Sequence, residues 1–254
     1  MDAVKEPMAV RLLGGFSLRV DREWVTLTRP SARVVALLGL SGHRGRDDTA
    51  ELLWPDAPPE RSHAYLRTAL WRLNAVADGA VLTVGGQLTL SPRTRVDARV
   101  LLDWATGDCA GDLPVDGDDL GRELLPSWDD PWLDQYRERI RVLVPEALEQ
   151  RAARRLDEGA TGLALSLALR AHQLDPLRES AVRILVAGHL RQGNRGAAAR
   201  VLRRHRAVLR AELGVDAGPE LLGLIDQAVV RRSPSQARHT PRQTTAQTRR
   251  QTGP

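Results

Sequence analysis

The sequence predicts a mainly α-helical chain with a small β part, folded as two halves. Three observations carry that expectation. Alternating apolar runs punctuated by glycine occupy residues 8–27 and 80–91. Helical periodicity prevails between them and again from residue 132 onward. Two apolar, small-residue-rich segments, "LALSLALRAHQLDP" at 163–176 and "AAARVLRRHRAVLR" at 197–210, start 34 residues apart. With 254 residues, 42% of them apolar, the chain can build a core in each half.

The N-terminal elements follow in order. "MAVRLLG" and "FSLRV" flank Gly14-Gly15, and "EWVTL" follows Asp21-Arg22, so three short strands form a small antiparallel sheet. "PSARVVALLGLS" (30–41) reads as a first helix, with Pro30 suited to a first turn and Val34, Leu37, Leu38 and Leu40 making a broad apolar face. "RDDTAELLW" (46–54) is a second, shorter helix; Asp47 and Asp48 cap or begin it, and Pro55 ends it. A third helix starts near Glu60. Leu66, Leu70 and Leu73 recur at inward spacing, whereas Arg67, Trp71 and Asn74 form one displayed stripe and Arg61, Tyr65, Thr68 and Arg72 the next. After Gly79, "AVLTV" and "QLTLS" flank Gly85-Gly86, the signal of a hairpin with a primed turn.

Sheet, three helices and hairpin are the order of a winged helix over residues 8–95. In that arrangement the last helix enters a DNA major groove and the hairpin lies on the backbone alongside. Arg67 and Arg72 would then reach phosphates or guanine edges, Thr68 a base or phosphate, and Trp71 sugars or a thymine methyl. Arg61, Tyr65 and Asn74 complete the displayed stripes, Gly85 and Gly86 form the wing turn, and Arg93 extends the basic surface beyond it. The alternative for the same residues is a solvated helix face with one half-buried tryptophan.

Charge divides the chain further. Residues 8–95 hold 12 Arg and 8 acids; residues 96–130 reverse this, with 2 Arg and 10 acids. Residues 131–232 return to 18 Arg and 12 acids, and 233–254 add four Arg and no acid. Such alternation marks segments with different tasks. Residues 96–130 read as a solvated acidic connector with one short helix at 98–106. A calcium loop in "GDLPVDGDDLG" is the alternative, but an ordered loop ending in a bidentate Glu is missing. Residues 1–7 read as a flexible N-terminus, and 233–254, with Ala as their only apolar residue, as a disordered basic tail.

Residues 131–232 are helical almost throughout. Asp129 and Asp130 are candidate caps, Pro131 suits a first turn, and Pro145 should bend or divide the helix that follows. The 34-residue helix–turn–helix period, with small residues where helices cross and Asp-Pro closing a unit, is that of tetratricopeptide repeats. Leu165, Leu169, Leu185 and Leu202 are expected in its core. Trp128 and Trp132, where this half begins, suit docking against the first half; each taken singly serves equally well as ordinary core.

With both halves assigned, the chain resembles the Streptomyces antibiotic regulatory proteins, which join a winged helix of response-regulator type to a bacterial transcriptional activator domain. The match runs through "VRLLGGFSLRVDREWVTL", "RPSARVVALLGL", "ELLWPDAPPERSHAYLRTALWRL", "LTVGGQLTL" with "VDAR", "ELLPSWDDPWLDQYRERIRVLVPEALE" and "AELGVDAGPELLGL", over roughly residues 8–230. The resemblance implies a sequence-specific transcriptional activator that binds direct repeats in double-stranded DNA as a side-by-side pair. It also implies contact with RNA polymerase and service to a secondary-metabolite gene cluster. Larger relatives continue into a nucleotide-binding ATPase domain; nothing here matches G-x-x-x-x-G-K-[ST], so no such domain is expected.

Other classes find less support. The six His are scattered, none pairs with Cys109 or a Glu at metal spacing, and Ser62-His63 lacks an orienting acid, so neither enzyme, metal nor cofactor is expected. One cysteine permits no internal disulfide, and no apolar run approaches the ~20 residues of a membrane span, so a cytoplasmic protein without membrane contact is expected. The competing reading is a helical-repeat scaffold or ligand sensor with weak or lost DNA binding.

Overall fold

The structure, a computed structural model, describes residues 8–107, 113–115 and 119–230. The expectations for residues 1–7 and 233–254, and much of the acidic stretch at 108–118, lie outside the described residues.

Strands β1 (Met8–Arg11), β2 (Ser17–Val20) and β3 (Glu23–Val25) form the expected antiparallel meander. Helices α1 (Arg29–Ser41), α2 (Arg46–Leu53) and α3 (Pro59–Val76) follow. Strands β5 (Val81–Val84) and β6 (Gln87–Leu90) then make the hairpin, with Gly85 at φ 56° and Gly86 at φ 80°, both in the left-handed region a type I′ turn requires. A two-residue strand, β4 (Arg44–Gly45), pairs with β6 and extends the wing to three strands in the order β4-β6-β5. Three helices and this wing, packed on an N-terminal sheet, are a winged helix.

The first sheet has a fourth member that the sequence did not announce. Strand β7 (Thr94–Val96) runs parallel to β1, giving the order β3-β2-β1-β7. It leads directly into α4 (Asp97–Ala105), one residue ahead of the expected 98–106. This corrects the reading of residues 96–130 as a solvated connector. Val96, Ala98, Leu101, Leu102, Trp104, Leu120, Leu124, Leu125 and Trp128 are all buried. Two of the acids that give the segment its polar appearance are used structurally. Asp97 accepts the backbone N–H groups of Leu12 and Leu13 at 2.8 and 3.1 Å, and Asp119 pairs with Arg11 and Arg122. Leu13 and Leu124 form an antiparallel bridge, which ties the segment to the end of β1.

The helical half opens with a 3-10 turn at Pro131–Leu133, then α5 (Asp134–Asp157), α6 (Thr161–Leu174), α7 (Glu179–Arg191), α8 (Arg195–Leu213) and α9 (Pro219–Val230). Pro145 lies inside α5 without dividing it. Short turns fold consecutive helices onto one another: α5 packs on α6 and α7, α6 on α7, and α7 on α8 and α9. This is the tetratricopeptide-like arrangement. Gly193 (φ 72°) makes the α7–α8 turn and the Asn194 side chain caps α8 by accepting the Ala197 N–H at 3.2 Å.

Leu185 and Leu202 are core, as expected, but α6 is rotated from its expected register. Leu169 is 47% exposed and Leu165 only half-buried, while Ala164, Ala168 and Ala171 are fully buried. The reason is close helix approach. A Cβ on Gly188 of α7 would come within 2.8 Å of Leu165, so only small side chains fit along this crossing.

Candidate nucleic-acid interface

Helix α3 is anchored on one side and open on the other. Leu66, Ala69 and Leu73 are buried, and the Ser31 hydroxyl of α1 donates to the Ala69 carbonyl at 2.9 Å, fixing the two helices together. The opposite side carries Arg61, Arg67, Thr68, Trp71, Arg72 and Asn74, every one exposed. Trp71 is 71% exposed, the most open large apolar side chain among the described residues. No ion pair or side-chain hydrogen bond engages Arg61, Arg67 or Arg72 among the described residues. Their charges therefore face solvent uncompensated. The Thr68 hydroxyl donates back to the Ala64 carbonyl at 3.0 Å, which leaves its methyl group and free lone pairs pointing outward.

The remaining residues expected at this site are distributed differently. Tyr65, 47% exposed, lies against Trp54 with ring centroids 5.9 Å apart, so one of its faces is occupied by the loop after α2. Gly85 and Gly86 are exposed at the wing tip beside Val84, itself 55% exposed. Asn74, at the C-terminal end of the open side, also lines a separate cavity there, with Arg93, Asp21 and Asp78. Arg61, Arg67, Thr68, Trp71 and Arg72 thus share one face, and Arg93 does not join it.

Trp128 and Trp132 are 4% and 5% exposed and sit where the halves meet. Trp128 stacks on Phe16, centroids 5.8 Å apart, and the Arg29 guanidinium of α1 lies 3.9 Å over its ring. Trp132 packs edge-on against Tyr136 and donates its indole N–H to Asp130 at 3.3 Å. Asp130, expected as a helix cap, makes no side-chain capping bond. Its carboxylate is 7% exposed and instead binds Arg33 at 2.5 Å and Arg29 at 3.2 Å. The physical reason is that two guanidiniums from α1 outcompete backbone amides for a buried carboxylate. The joint therefore includes Arg29, Arg33 and Asp130. A sequence signal existed in the adjacent acids after Trp128, but nothing local could name their partners about a hundred residues earlier.

Among the described residues no group of three or more His, Cys, Asp or Glu could hold a metal ion, and no helix is long and apolar enough to cross a membrane.

A winged helix is thus joined through a packed interface to a tetratricopeptide-like half. Residues 106–229 match the family model described as "Bacterial transcriptional activator domain", beginning well before the expected start at 131. The chain is 31% identical over 240 residues to the regulatory protein AfsR of Streptomyces coelicolor and 27% identical over 254 residues to AfsR of Streptomyces griseus. These alignments cover 87% and 93% of this chain but 24% and 26% of the relatives, so the chain spans about a quarter of their length. Its fold is similar to that of Mycobacterium tuberculosis EmbR, solved in complex with a low-affinity phosphopeptide. The TM-score is 0.63 at 17% identity, over 89% of this chain and 66% of the other. The activator-domain match and the likeness to AfsR support the resemblance to the Streptomyces antibiotic regulatory proteins that the sequence motifs carry.

Proposed function

We propose that this chain is a sequence-specific DNA-binding activator that lays α3 in the major groove and the β5–β6 wing on the flanking backbone. The observation that carries the reading is the open face of α3, where three arginines without partners surround a tryptophan that packing leaves 71% exposed. Burial of Trp71 against sugars or a thymine methyl and contact of Arg67 and Arg72 with guanine or phosphate would satisfy groups that the fold leaves unused. Binding of direct repeats as a side-by-side pair, contact of the helical half with RNA polymerase, and control of a secondary-metabolite cluster belong to the same proposal. They rest on the family.

Titration of duplex DNA at several salt concentrations tests it. Arg67→Ala or Arg72→Ala should weaken binding by ~1–3 kcal/mol and relax preference at one base if the residue reads guanine. If it holds only phosphate, all duplexes should weaken together and the salt slope should fall by about one. Variants that bind every duplex as the parent does would leave the scaffold reading in its place.

A further inference from the structure

A small polar cavity of about 290 Å³ opens where the end of α1, β4, α4 and α5 converge. Its lining includes Arg44 from the winged helix, Arg99, Asp103 and Thr106 around α4, and Tyr136 and Arg139 from α5. Arg99 is held by its helix neighbour Asp103, donating Nε–H to both carboxylate oxygens at 2.8 and 3.1 Å. Arg44 and Arg139 have no ion-pair or hydrogen-bond partner among the described residues, and the Arg44 Nε is shielded from solvent with its proton unused. Three arginines against one aspartate leave two positive charges facing one small space.

Three other cavities among the described residues lack this imbalance. The cavity over the first turns of α5 sets Arg122, Arg137 and Arg141 against Glu123, Asp134 and Glu138. The one at the end of α3 has Arg93 against two aspartates, and the one beside Asp130 has two arginines against three. Like charges gathered in a confined space repel, and a buried N–H without an acceptor is costly. An anion with several acceptor oxygens removes both penalties at once. Guanidinium forks match the oxygens of phosphate, and a phosphate monoester carries about −1.5 to −2 charges at neutral pH, which balances the two found here. A volume at the lower end of ligand sites, which run from ~300 Å³ upward, suits a small body behind that group.

We propose that this cavity binds the phosphate group of a small phosphorylated metabolite. Because Arg44 comes from the winged helix and Arg139 from α5, an occupant bridges the two halves. The site lies apart from the α3 face, so it stands or falls independently of the DNA-binding reading.

Thermal unfolding of the full chain, followed with inorganic phosphate and with glycerol 3-phosphate at constant ionic strength set by chloride, tests the proposal. The midpoint should rise saturably with either phosphate and not with chloride. In Arg139→Gln, an exposed position, about tenfold or more additional phosphate should be needed for the same rise, as expected for loss of one charge-assisted contact. Without phosphate, that variant should melt no lower than the parent, since a repulsive charge has gone; Arg44→Gln should lose the response likewise. A midpoint indifferent to phosphate in the parent, or a rise of equal size and midpoint in Arg139→Gln, would overturn the proposal. So would a loss of duplex DNA affinity in Arg139→Gln as large as that in Arg67→Ala, which would make the cavity a contact for backbone phosphates.

Discussion

Asp97 accepts two backbone N–H groups belonging to fully buried leucines, and burial raises its carboxyl above the usual range although those amides, the Ala98 N–H and Arg11 all pull it down. Asp97→Ala would leave the Leu12 and Leu13 amides without an acceptor at the end of β1. Each such group costs about 1–3 kcal/mol, so a loss in that range or above it is expected from denaturant unfolding. A second residue-scale consequence concerns His172 on α6 and His205 on α8, whose rings meet edge to face at 5.9 Å. His205 is 1% exposed and neither of its nitrogens completes a hydrogen bond; the Glu179 carboxylate and the Pro176 carbonyl favour its charged form, but burial outweighs them. On His172 burial, His205 and Arg204 act together against Asp175. Both imidazoles are therefore lowered from 6.5. Below that value the unfolded chain binds more protons than the folded one, so stability is complete above about pH 6.5 and falls as pH decreases through the window beneath it. Unfolding midpoints measured from pH 8 to 5 should decline, and His205→Leu should flatten the decline.

At the scale of elements, the sharpest contrast lies within the helical half. Leu185→Ala empties a packed site and should cost about 2–5 kcal/mol, whereas Leu169→Ala, on an exposed face, should stay within about 0.5 kcal/mol. Urea midpoints of the two variants would check the register of α6 directly. Leucine spacing alone does not reveal that register, because the close α6–α7 crossing at Gly188 gives the interior to alanines. In α3 the expected inward positions Leu66 and Leu73 are buried and Leu70 partly so, since that face packs on α1, while Tyr65 on the displayed side is met by Trp54. The hairpin was equally legible, because two glycines at positive φ answer a local demand of the turn. Strand β7 was not. Its three residues are too short for a periodic signal, and their partner in the sheet lies some 86 positions earlier.

Over the whole molecule, one hydrophobic core runs from Met8 in the first sheet through Trp128, Leu133 and Leu148 to Ala181 in α7. The halves are thus joined by packing as well as by chain. Trp128→Ala should cost about 3–5 kcal/mol, as for other large buried aromatics, and hydrogen exchange should show β1, β2 and α5 losing protection together. Loss confined to α5 would contradict a shared core. A fragment ending at residue 110 discards Leu120, Leu124, Leu125 and Trp128 from this core and should therefore melt below the full chain. The acidic composition of residues 96–130 concealed this joint. The carboxylates there are polar by type, yet Asp97, Asp119 and Asp130 each answer a donor or cation on a distant element.

The parallel pairing of β1 with β7, and the bridge from Leu13 to Leu124, also set an order of events during synthesis. Strand β1 receives its last neighbours only after more than a hundred further residues have been added, on the order of ten seconds at ~5–20 residues per second. Until then Leu12 and Leu13 have no lid, and the winged-helix half emerges ahead of the helical half but is completed by a segment within the stretch that matches the activator domain.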